Sequence, residues 1–154
     1  MRATWTVASQ WPWRATMGLI LRWGLGVGIA IALVDFAAGE MTRSVTGTDL
    51  AAAIELIDYV INLVLFGWAG YQVARAAGEL RPGLESAVLA GLLAGLAGVG
   101  YMLARGGEAT APEELVFLVA WNIVLAASAG AVGAWSGSTA RREAPPGSNR
   151  GARP

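Results

Sequence analysis

Three carboxylates and two amides sit inside stretches of this chain that are otherwise apolar enough to cross a bilayer, and any chemistry would start from them. From Leu50 to Arg75 the chain reads LAAAIELIDYVINLVLFGWAGYQVAR. At about 100° per residue, Glu55, Asp58, Asn62 and Phe66 fall within roughly a quarter-turn of one another, so the polar groups make one stripe. Asp35, late in the preceding apolar run, and Asn122, in the last one, complete the candidate set. Ionisable groups at membrane depth are costly to place and point to function by default. Crowded in a low dielectric, carboxylates repel unless a proton or a cation sits between them, so Asp35, Glu55, Asp58, Asn62 and Asn122 read as a candidate ion or proton site. The competing reading pairs the acids with Arg43 or Arg105, or lets them reach the headgroups.

Other chemistries are removed by composition. The 154 residues include no Cys and no His, and the eleven basic residues are all Arg. Thiolate nucleophiles, iron–sulfur clusters, the commonest ligand for zinc, copper and haem iron, and lysine Schiff bases are therefore absent. No metal site, cofactor or catalytic residue is expected, and the chain reads as non-enzymatic.

The elements that must position these residues are membrane helices. At 55% hydrophobic and 14% charged residues, with a mean hydropathy of +0.52, the chain is too apolar for an ordinary soluble domain. Residues 1–16 carry Arg2, Arg14, Trp5, Trp11 and Trp13 around Pro12, and read as an interfacial lead-in on the inner surface. Four spans follow, at about 17–38, 50–75, 84–104 and 113–135. Ala37-Ala38-Gly39 also offers a small-residue cleavage pattern, but Asp35 just before it and the length of the apolar run favour a span. Gly78 is placed to end the second helix and Pro82 to start the third, so these two are expected to be antiparallel neighbours. Thr110 and Glu113 form a Thr-x-x-Glu capping box for the fourth. Residues 136–154, rich in Ser, Gly, Pro and Arg with no apolar period, read as a disordered basic tail; lacking aromatic interleaving, the tail suggests no nucleic-acid partner.

Small residues recur at helical spacing. Gly24 and Gly28 form a Gly-x-x-x-Gly pair in the first span, repeated by Gly26 and Ala30. The third carries Ala87-Gly91-Gly95 and Ala90-Ala94-Gly98, and the fourth Ala126-Gly130-Ala134. Such ridges let backbones approach closely, and they specify packing rather than chemistry. The second and fourth spans align at an offset of 60, with six identities over thirteen positions from Asn62 to Ala74. A duplicated hairpin would relate two parallel halves about the membrane normal and bring Asn62 toward Asn122.

Nine Arg fall on the side of the termini against two, Arg43 and Arg105, on the other, so by the positive-inside rule both termini are expected in the cytoplasm. Eight acids accompany the two Arg and three accompany the nine, which gives about −6 outside and +6 inside despite zero net charge. The run GWAGYQVARAAGELRPGLESAVLAGLLAGLAGVGY resembles in texture the small four-helix bacterial membrane proteins with Gly/Ala ridges. The likeness is one of composition and layout and brings no site residue with it. The small multidrug carriers also have four spans and an essential acid in the first, but Asp35 lies near the wrong end for that match.

The fold expected is therefore an all-α integral membrane protein, a four-transmembrane-helix bundle with two parallel-related hairpins as its finer form. Its expected function is a packing, accessory or scaffold role in the bacterial inner membrane, with the lipid bilayer and a homo-oligomer or larger membrane complex as partners. The alternative is a small ion- or proton-coupled transporter or channel built on Asp35, Glu55 and Asp58.

Overall fold

Each apolar run is one unbroken helix, because a backbone in hydrocarbon must satisfy its own hydrogen bonds. The computed structural model describes residues 11–105 and 111–143, and these form α1 (Trp11–Ser44), α2 (Thr48–Ala77), α3 (Leu80–Ala104) and α4 (Pro112–Glu143). All four are long and apolar enough to cross a membrane. The chain is an all-α, four-helix membrane bundle.

The helices outrun the apolar stretches that announced them. At 34, 30, 25 and 32 residues they are about 37–51 Å long at 1.5 Å per residue, against a hydrocarbon core of about 30 Å. α1 starts at Trp11 instead of residue 17, and Pro12 falls in its first turn, where a missing N–H breaks no helical bond. α1 also continues to Ser44 through residues expected in a polar connection, leaving only Val45–Gly47 before α2. At the other end, α4 runs through Ser136–Glu143, which the sequence assigned to a disordered tail. Hydropathy marks where the lipid stops, whereas a helix stops where its hydrogen bonds do. The expectations for residues 1–10, for Thr110 of the capping box and for residues 144–154 lie outside the described residues.

Local signals were sound elsewhere. Gly78 closes α2 in the left-handed conformation, at φ 80°, with its N–H donating to Ala74 O at 2.7 Å. Pro82 lies in the first turn of α3, and α4 begins on Pro112.

Partners are set by the small residues. α1 packs on α3, where a Cβ at Gly24 would lie 3.0 Å from Ser86 O and one at Gly28 3.1 Å from Ala90 O. α3 packs on α4, where a Cβ at Gly91 would lie 2.7 Å from Asn122 O, one at Gly95 2.8 Å from Val119 Cα and one at Gly98 3.1 Å from Leu118 Cδ2. α2 packs most extensively on α4, with Gly70 facing Gly130, Gly67 facing Gly133 and Gly137 facing Tyr71. The short connection does make α2 and α3 neighbours, but each packs more extensively on α4 than on the other. α1 and α4 lie on opposite sides and barely touch. Phe66, Ile31 and Val73 are fully buried among alanines of α2, α3 and α4.

Gly70 and Gly130 are equivalent at the offset of 60, so the two aligned helices do cross at matching positions. The remainder of the packing is not paired in this way, since α2 meets α3 while α1 hardly meets α4.

Candidate functional site

The polar stripe of α2 winds from lipid into the bundle. Glu55 is exposed, Asp58 is half-buried, Asn62 keeps only 8% of its surface and Phe66 none. Going inward, each residue turns further toward the helices behind it. Asn62 therefore points its amide across the α1–α2 interface and donates from Nδ2 to Asp35 Oδ1 at 2.6 Å. Asp58, one turn outward, brings its carboxyl within hydrogen-bonding reach of Asp35. Two carboxyls and one amide, drawn from α1 and α2, make one group.

Two oxygens of this group are unserved. Asp58 Oδ1 and Asn62 Oδ1 are both shut off from solvent and have no hydrogen-bond partner. A buried acceptor without a donor costs on the order of 1–3 kcal/mol, and more for a charged one. Grooves flank the group on both sides of α1. One of about 220 Å³ between α1 and α2 is lined by Asp58 with Val34, Met41 and Ile54. Another, of about 310 Å³ between α1 and α3, is lined by Asp35, Phe36 and Tyr101.

The other two candidates stay apart. Glu55 faces outward and joins neither Asp35 nor Asp58, and among the described residues no three acidic side chains gather where a metal ion could be held. Asn122 donates to Leu118 O of its own helix at 3.1 Å, and its backbone carbonyl faces Gly91. Among the described residues no hydrogen bond joins Asn62 to Asn122, the pair that a duplicated hairpin would bring toward one another. Asn62 instead bonds a carboxylate of α1, a stronger acceptor than a second amide would be.

The arginines expected to neutralise the acids are engaged elsewhere. Arg105 and Arg43 both reach Glu40 Oε1, the second at 3.8 Å, and Tyr101 Oη donates to the same oxygen at 2.6 Å. The two guanidiniums lie over the Tyr101 ring, 5.2 and 5.4 Å from its centroid, while Phe36 meets that ring edge-on at 5.3 Å. This cluster ties the end of α1 to the end of α3. Sequence reasoning placed Glu40 in a loop and gave Tyr101 no role. The available signal was Arg43 three residues after Glu40, on the same side of the membrane as Arg105.

At the opposite end of the bundle, Arg141 of α4 donates to the carbonyl oxygens of Arg75, at 3.4 Å, and Ala76. These are the orphan acceptors of the last turn of α2, so the guanidinium caps a neighbouring helix.

No protein-family model matches the chain, and no curated protein or solved structure matches it either.

Proposed function

We propose that this is a non-enzymatic accessory protein of the bacterial inner membrane, with both termini in the cytoplasm, that docks through one face of α1 onto a transmembrane helix of another protein. The observation that carries this reading is a contrast between two pairs of glycines on that helix. Gly24 and Gly28 are pressed against α3, whereas Gly18 and Gly26 have no atom within 4 Å of where a Cβ would stand. The Gly-x-x-x-Gly pair thus serves the bundle on one side, while Gly18 and Gly26, eight residues apart on another face, are left open, and in lipid an open small-residue position favours close approach of a second backbone.

Arg22 selects the partner. It lies between Gly18 and Gly26 on the open face, is exposed, and is paired with no carboxylate. A second copy docked on this face in parallel would set Arg22 against Arg22, so the face suits a foreign helix carrying a carboxylate at that depth. A photoreactive side chain at position 26 should crosslink to a membrane protein other than this chain, and Arg22→Glu should abolish the crosslink without changing thermal stability in detergent. Crosslinking only to a second copy, or equally from position 103 on the outer part of α3, would overturn the reading.

A further inference from the structure

We propose that Asp35, Asp58 and Asn62 form an intramembrane binding site for a small hard monovalent cation of the sodium class, for which protons compete. The proposal stands apart from the docking face of α1 and would survive its failure.

The donors decide the chemistry. Every available ligand atom is a carboxyl or amide oxygen, which suits a hard cation and not a soft metal. Calcium takes six to eight oxygens, and three side chains without a third carboxylate fall well short of that. The acidic pair is not by itself the argument. Asn62 is more than nine-tenths buried, its Nδ2 is committed to Asp35, and the Oδ1 of the same amide is buried with no hydrogen-bond partner among the described residues. Asp58 Oδ1 is orphaned beside it. Asn62 Nδ2 is already spent on Asp35 and serves neither of these two buried acceptors, and a cation is what would satisfy them.

Among the described residues no charge completes the group instead. From α1, Glu40 is held by Arg43, Arg105 and Tyr101, which takes the two outer guanidiniums and the α3 phenol away from Asp35. From α2, Glu55 is exposed. α4 has no charged residue between Leu115 and Ala140. Two neighbouring carboxyls therefore face one another in a low dielectric with no protein cation between them, and a bound cation or a shared proton relieves the same repulsion, which is why the two compete. The groove between α1 and α2, lined by Met41 and Ile54 as well as Asp58, gives room for a small ion beside the group.

The test is thermal unfolding of the full chain in detergent, with sodium chloride exchanged for choline chloride at constant ionic strength, in neutral and in mildly alkaline buffer. A cation bound only by the folded state stabilises it by mass action. The melting temperature of the wild type should rise by several degrees with sodium, with a smaller rise in the more acidic buffer. Asp58→Asn should lose that rise, and Glu55→Gln should keep it. Asp35→Asn also removes the acceptor of Asn62, so Asp58→Asn, which leaves the bond between Asn62 and Asp35 in place, is the decisive variant, and radioactive sodium retained by the wild type and not by Asp58→Asn gives a readout independent of stability. Equal stabilisation by sodium and choline, a response that survives Asp58→Asn, or one that disappears in Glu55→Gln would each overturn the site.

Discussion

Arg141 reaches from the last turn of α4 to donate to the carbonyl oxygen of Ala76. The two residues are 65 positions apart, and the contact makes the last turn of α4 part of the support of α2. Arg142, next in the chain, is exposed and has no such partner. Arg141→Ala is therefore expected to cost about 1 kcal/mol of stability, and Arg142→Ala less than about 0.5 kcal/mol. Arg141→Lys should fall between them, since an ammonium keeps the charge and the donor but is more strongly hydrated and less fixed in direction than the guanidinium Nη1 that serves both carbonyls. Melting temperatures of the three variants in one detergent check the order. Equal losses from Arg141→Ala and Arg142→Ala would show that the charge of the tail matters and the cap does not.

Bulk is expected to be least tolerated where backbones touch. A Cβ at Gly95 would stand 2.8 Å from Val119 Cα, an atom that moves only with its helix, whereas Leu92 on the same helix is exposed toward lipid. Gly95→Leu should destabilise by about 3 kcal/mol or more and reduce folded yield severely, while Leu92→Ala should stay near wild type. Size-exclusion profiles of detergent extracts read the difference. If both variants give the same yield, α3 does not pack on α4 through Gly95.

The orientation proposed from the nine-to-two division of arginines is tested by labelling. Single cysteines at Thr46, between α1 and α2, and at Ala109, before α4, should react with an impermeant thiol reagent added outside intact cells. One at Ser148 should react only after the membrane is opened. The chain has no native cysteine to confuse the result. The opposite pattern would place the termini outside and reverse the acidic rim.

Existence and number of helices, the positions of Gly78, Pro82 and Pro112 at their ends, and the glycines available for close packing could be read from the sequence, because hydropathy, helical period and capping are local properties. A residue such as Gly78 meets its requirement within four neighbours, whatever the rest of the chain does. Partner choice is not local, and only the tertiary structure decided it. Asn62 had two candidate partners of equal standing in the sequence, Asn122 and the acids, and it took Asp35, 27 positions away, because α1 and not α4 lies against that side of α2. Glu40 and Tyr101 are 61 positions apart, and their bond exists only because α1 and α3 end at the same depth. That bond, in turn, removed Arg43 and Arg105 from Asp35 and Asp58. Glu55 was dropped from the group by three residues of helical rotation, enough to turn its side chain from protein to lipid. Alignment of polar residues on one stripe is a statement about a single helix, and how much of that stripe is buried depends on the angle at which its neighbours cross it.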